Sequence, residues 1–266
     1  KQLGNLKKYV SPGKAVIIYG PRRCGKTTLL EHFQQTVDPE KTLFVTGDDF
    51  SVREYLSSQS LEKLTSFLGE KECLIIDEAQ RIPNIGLNLK IIVDHLKHVK
   101  VVATGSSSFD LARNIGEPLT GRKFTLMMFP LSQMELSSIE SRHVTDDRLE
   151  SRLIYGSYPQ IVLENDNTLR QGILKEIVSS YLMKDILELD NIRHSDKLVR
   201  LLQCLAFQIG KEVSITELGT QLSMSKNTVD RYLDLLEKTF VIFRLTGLAG
   251  IYARKSQKII VIILRI

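Results

Sequence analysis

Eight consecutive residues, Gly20-Pro21-Arg22-Arg23-Cys24-Gly25-Lys26-Thr27, constrain this chain more than any other stretch. They follow a short apolar run, Ala15–Tyr19, and open a segment, Thr27–Val37, whose apolar residues recur at helical spacing. A glycine-rich turn between a buried strand and a helix points backbone N–H groups inward. The helix N-terminus adds its dipole, so the turn is a cradle for phosphate. Gly20, Pro21, Arg22, Arg23, Cys24 and Gly25 are the expected wall of that cradle, continued by Lys26, Thr27 and Thr28. Lys26 is expected to reach the β- and γ-phosphates of a nucleotide, and the Thr27 hydroxyl to ligate Mg²⁺.

The rest of the first half has the alternation that such a loop requires. Thr42–Thr46, Cys73–Ile76, Val99–Thr104 and Phe124–Phe129 predict short buried strands, and Leu61–Leu68 and Leu87–Leu96 predict helices between them. This order predicts a parallel sheet covered by helices on both faces. The third run ends in Asp77-Glu78, and a parallel strand delivers such groups at its carboxyl end, where α/β sheets bind ligands. Asp77 is expected to hold Mg²⁺ through water. Glu78 is expected to orient or deprotonate the water that attacks the γ-phosphate. The fourth run closes on Thr104-Gly105-Ser106-Ser107-Ser108. Ser106 there is either a hydroxyl that senses the γ-phosphate or part of a polar turn that caps a helix. Arg122 stands just before the fifth run, as an arginine finger for a neighbouring subunit's nucleotide or as a surface ion-pair partner. Asp48 and Asp49, after the second run, either stand behind the Mg²⁺ ligands or form a turn.

Several function classes fall away on composition. Three cysteines scattered over 266 residues do not make a disulfide scaffold, and two of them, Cys24 and Cys73, lie inside the motifs above. No signal peptide opens the chain, and no apolar run approaches the 18 or so residues that span a bilayer. A cytoplasmic protein without a membrane partner is expected. Residues 1–195 carry 25 Lys+Arg and 25 Asp+Glu, whereas residues 196–266 carry 11 and 6, the whole of the net +5. A basic module after a neutral one points to nucleic acid as its partner, or to a solvated basic surface with none.

That module begins where the strand–helix alternation has stopped. Beyond Pro130, Ser132 and Glu135 form a capping box for a helix, and mostly helical patterning runs to about residue 195 with a break at Gly156-Ser157-Tyr158-Pro159. Leu198, Leu201, Leu202 and Leu205 then mark an amphipathic helix. Val213–Leu222 and Ser225–Thr239 predict a helix-turn-helix joined through Ser223-Met224-Ser225, with Val229, Tyr232, Leu233 and Leu236 as its buried stripe. Val241–Leu245 and Ala253–Ile262 predict wing strands. Lys226, Asn227 and Arg231 suit phosphate and base contacts, whereas Asp230 and Asp234 on the same helix repel DNA. The expected domains are a P-loop core over 1–135, a helical lid over 136–195 and a winged helix over 196–266.

Taken together, GPRRCGKTTLL (20–30), LIIDEAQRIP (74–83), TGSSSFDL (104–111), LTGRKFTLMMFPLSQMEL (119–136) and YGSYPQIVL (155–163) resemble a prokaryotic family. Its members are AAA+-like P-loop ATPases followed by a winged helix and a nuclease-like C-terminal domain. The resemblance implies sheet order 5-1-4-3-2, an adenine nucleotide rather than guanine, and the arginine-finger role for Arg122. Family members continue well past the winged helix, so the apolar ending Lys258–Ile266 and the missing initiator methionine suggest a truncated chain. The expected activity is ATP hydrolysis with Mg²⁺, working as a nucleotide-driven switch in a homo-oligomer, with a protein partner or internal docking favoured over DNA. A nucleotide-gated regulator with little turnover and a small-molecule kinase are the alternatives. Glu78 argues against the kinase, since a water-activating carboxylate would waste ATP.

Overall fold

The computed structural model describes residues 2–105, 118–179, 195–209, 211–246 and 259–263. It divides into two compact units, residues 1–145 and 146–266.

The first unit is built on five parallel strands, β1 (Ala15–Tyr19), β2 (Thr42–Thr46), β3 (Cys73–Asp77), β4 (Lys100–Gly105) and β5 (Lys123–Met127). Their spatial order, β2-β3-β4-β1-β5, is the 5-1-4-3-2 order that the resemblance implies. The three central strands are apolar on both faces because both faces are covered. Val16–Ile18, Leu74–Ile76 and Val101–Ala103 are at most 1% exposed, and burying each such aliphatic side chain contributes about 1.5–3 kcal/mol. The outer strands β2 and β5 are only partly buried, and both mix polar with apolar residues.

Helices α1 (Gln2–Tyr9), α2 (Lys26–Gln34), α3 (Phe50–Leu56), α4 (Leu61–Leu68) and α5 (Ile85–His95) flank the sheet sequence. Two of them, α1 and α3, go beyond the periodicity argument. In α1 the spacing of Leu3 and Leu6 places both against the core that contains α2's Leu30 and Phe33. In α3 the Asp49 side chain accepts a hydrogen bond from the Ser51 backbone N–H at 2.8 Å, a cap that contributes about 1 kcal/mol. The Ser132–Glu135 capping box forms as expected, but the helix it opens covers only Gln133–Leu136.

In the second unit, short helices Leu149–Tyr155, Pro159–Leu163 and Asn167–Val178 follow one another, the first two separated at the expected break. The first ends at Gly156 with φ 78°, in the left-handed region that glycine tolerates, and Pro159 starts the next at its first position. Further on, helix Ser195–Phe207 packs with helices Ile215–Leu222 and Lys226–Lys238 around Leu198, Leu201, Leu218, Val229, Leu233 and Leu236. The turn between the last two puts Ser223 at φ 51°. Gly219 packs so closely there that a Cβ would lie 2.8 Å from the Met224 carbonyl oxygen. Val213 is not the start of a helix. It belongs to strand β6 (Glu212–Val213), which pairs antiparallel with β8 (Ile259–Ile263), itself paired with β7 (Ile242–Thr246). The first part of the expected second wing strand, residues 253–258, lies outside the described residues.

Arg244 on β7 ties this sheet to the helix before it. Its guanidinium bonds Asp230 at 3.0 Å, Asp234 at 3.3 Å and Glu237 at 2.7 Å. Asp230 and Asp234, expected to repel DNA, are thus engaged within the unit. Among the described residues no helix is long and apolar enough to cross a membrane.

Candidate nucleotide site

Parallel register brings the carboxyl ends of four strands to one rim. Thr46 is level with Asp77, and Tyr19 with Gly105, so everything that follows these residues gathers on the same edge of the sheet. The loop after Tyr19 is held close to that edge. A Cβ on Gly20 would sit 2.2 Å from the Met128 carbonyl oxygen, so only glycine fits. Arg23 (φ 61°) and Gly25 (φ 98°) take left-handed backbone, which curls the loop before α2 begins at Lys26. The Cys24 thiol packs toward the Met128 carbonyl, and burial pushes its pKa up, so it is a wall of the loop and not a nucleophile.

Lys26 is 5% exposed, and its ammonium donates to the carbonyls of Gly20 and Pro21 at 2.9 and 2.8 Å. Burial lowers its pKa, opposed by the nearby Cys24, Glu78 and Asp77. Thr27 and Thr28, in the first turn of α2, are exposed. The Thr27 hydroxyl donates to Asp77 Oδ2 at 2.7 Å, while the Thr104 hydroxyl donates to Asp77 Oδ1. One carboxylate thus links the ends of β3 and β4 to the phosphate loop.

Glu78 leaves β3 with φ 49° and ψ 41°, an unusual backbone for a residue with a side chain. Its backbone N–H donates to Asp77 Oδ1 at 3.1 Å and to the Thr104 hydroxyl at 3.2 Å. Gly47 packs against it from β2, with its N–H on the Asp77 carbonyl at 2.8 Å and no room for a Cβ, which would lie 2.3 Å from the Glu78 carbonyl oxygen. A 3₁₀ turn over Ala79–Arg81 follows, and within it the Gln80 amide donates to Glu78 Oε2.

The structure gathers Gly20 through Thr28, Asp77 and Glu78 at this rim. Arg122 is elsewhere: Ala15, at the opposite end of β1, donates its N–H to the Arg122 carbonyl at 2.9 Å. That is about 16 Å along the strand from Gly20, and the guanidinium pairs with Asp94 of α5. Arg122 cannot serve its own chain's nucleotide. Ser106, with Ser107 and Ser108, lies outside the described residues. Asp49 caps α3 and Asp48 pairs with Arg81 at 2.8 Å, so these two aspartates are turn residues. The contacts of Thr104, Gly47 and Gln80 were not singled out by motif reasoning. The signals were present as a hydroxyl at a strand end, a glycine after β2 and an amide two residues past Glu78.

Beside the loop lies a cavity of about 220 Å³, bordered by Asn5 of α1, Cys24, Phe129, Leu131 and Ser132. It combines apolar walls with a few amide and hydroxyl groups, the make-up of a small-molecule pocket.

Residues 12–137 match the AAA domain family, and residues 146–262 match a domain of unknown function (DUF8612). An uncharacterised protein of Haemophilus influenzae is 27% identical over 249 residues, covering 86% of this chain and 61% of that protein. One from Methanocaldococcus jannaschii is 26% identical over 294 residues, 96% of this chain and 62% of the relative. One from Mycobacterium tuberculosis is 27% identical over 259 residues, 96% and 55% respectively. The chain thus spans 55–62% of the length of these curated relatives. Among solved structures, the Pif1 helicase from Candida albicans aligns over 56% of this chain and 42% of that one, with 13% identity and TM-score 0.37. The P-loop NTPase domain of a sigma-54 transport activator from E. coli aligns over 49% of this chain and 92% of that one, with 15% identity and TM-score 0.31.

Proposed function

We propose that this chain, whose first unit is a P-loop module of the AAA type, binds ATP with Mg²⁺, hydrolyses it at the γ-phosphate and uses the cycle as a switch. The observation that carries this reading is the bond from the Thr27 hydroxyl to Asp77. It commits the threonine's proton to the carboxylate and leaves the oxygen's lone pairs for a cation. Hard oxygens of this kind fit Mg²⁺, with Thr27 as a direct ligand and Asp77 acting through water. When bound, Mg²⁺ would supply positive charge that offsets the charge of the phosphates. Lys26 exchanges the carbonyls of Gly20 and Pro21 for phosphate oxygens, and Glu78 orients the attacking water. The cavity beside Cys24 is the candidate seat of the adenine base.

Release of inorganic phosphate, measured with and without small-molecule acceptors and duplex DNA, separates this reading from its rivals. Phosphate is expected to appear without either addition. Transfer only to an added acceptor would favour a kinase, and release negligible until DNA is present would favour a nucleotide-gated DNA-binding regulator.

The second unit is read as a winged helix whose role is docking or coupling. Arg244 occupies Asp230, Asp234 and Glu237, so that part of the helix serves to hold the sheet. Lys226, Asn227 and Arg231 remain exposed for a partner.

Arg122 acts in trans on this reading, because its own phosphate loop is out of reach. Adding Arg122→Ala subunits to wild type should then lower the rate per wild-type chain below simple dilution, and the specific rate should rise with protein concentration. A rate indifferent to both would leave Arg122 as the ion-pair partner of Asp94.

A further inference from the structure

Glu78 cannot choose its direction freely. Its backbone is in the left-handed region, at φ 49°, a conformation disfavoured for a residue with a side chain. Three contacts hold it there: the N–H on Asp77 and Thr104, the carbonyl accepting from the Arg81 N–H at 3.0 Å, and Gly47 packed against that carbonyl. Strain held this firmly, beside a phosphate loop, points to a side chain whose aim matters. The carboxylate is still free to rotate about its own bonds, and one group in its immediate turn limits it. Gln80, half-buried in the same 3₁₀ turn, donates its amide N–H to Glu78 Oε2 and leaves Oε1 unclaimed by it. Glu78 follows Asp77, whose carboxylate accepts from Thr27 of the phosphate loop and from the Glu78 N–H, so the residue so held stands at the same rim.

We propose that Gln80 is the positioning residue of the site: its amide holds one oxygen of Glu78 so that the other is presented to the attacking water. The inference rests on reading Glu78 as the group that orients this water, and it adds a specific requirement for a donor at residue 80. An acceptor or an apolar side chain of the same length will not serve. A wandering carboxylate loses the geometry on which general-base catalysis depends, whereas nucleotide affinity, set by the loop and Mg²⁺, is untouched.

The test is steady-state hydrolysis and nucleotide affinity of the full chain carrying Gln80→Met, Gln80→Glu and Gln80→His, with thermal unfolding to verify folding. Gln80→Met removes the donor at similar length, and kcat should fall about 10-fold with the ATP dissociation constant changed less than twofold. Gln80→Glu, isosteric but repelling Glu78, should fall at least as far. Gln80→His keeps an N–H donor and should stay within a few-fold of wild type. Adding Gln80→Met to Glu78→Gln should lower the residual rate no further, because both changes act through one carboxylate. Gln80→Met at the wild-type rate, an equal loss of affinity, failure of Gln80→His to retain activity, or an additive double variant would each overturn the inference while leaving Glu78 in place. A Glu78→Gln chain with the wild-type rate would instead remove the parent reading, and this inference with it.

Discussion

Lys26→Ala should weaken ATP binding by a factor on the order of 10² or more, with the sheet still folded. The ammonium is 5% exposed and rests on the carbonyls of Gly20 and Pro21, which a phosphate oxygen can replace as its partners. Burial disfavours its charge, and Asp77 and Glu78 only partly offset that. A polyanionic ligand completes the compensation, so much of the binding energy converges on this one group. Hydrogen bonds from a charged donor contribute about 1.5–3 kcal/mol each, and 1.4 kcal/mol is a factor of ten in affinity. Loss of two such bonds gives the stated effect. Titration with a non-hydrolysable ATP analogue measures it, and an unfolding curve shows whether the alanine chain is folded. Affinity within a few-fold of wild type would mean that phosphate is held elsewhere.

The parallel sheet was legible because its three central strands have no solvent-facing side. A strand buried on both faces needs an unbroken apolar run, and Ala15–Tyr19 has the observed boundaries to the residue. The phosphate loop was legible for a similar reason: backbone wrapping demands glycine at Gly20 and Gly25, and the chemistry demands Lys26-Thr27. Their coincidence in eight residues leaves little freedom.

What escaped was whatever depends on a partner distant in sequence or on local backbone. Gly47 reads as an ordinary turn glycine. Its necessity comes from the Glu78 carbonyl of the neighbouring strand, 31 positions away. Thr104 looks like the last residue of an apolar run until β4 is laid beside β3 and its hydroxyl meets Asp77. Asp230 and Asp234 read as charges that weaken a DNA surface, because Arg244, 14 and 10 residues on, faces them only once β7 folds back. The break at Gly156–Pro159 was legible, because Gly156 ends one helix and Pro159 starts the next, but the second break, between Leu163 and the Asp166 cap, was not anticipated. Arg122 was placed correctly before its strand, but which end of the sheet that start faces is a property of the parallel topology.

The most direct test of hydrolysis at this site compares wild type with Glu78→Gln in two measurements on the same preparations, ATP affinity and single-turnover phosphate release. The substitution keeps size and shape and removes only the negative charge and its basicity. Asp77, Thr27 and Lys26 keep their own contacts, so ATP affinity should stay within about twofold, as expected of a group that acts on water rather than on the bound nucleotide. Phosphate release should fall by a factor on the order of 10² or more, the contribution of a positioned general base. Tight binding with release abolished is the predicted result. Release at the wild-type rate from a folded, ATP-binding Glu78→Gln chain would contradict the account.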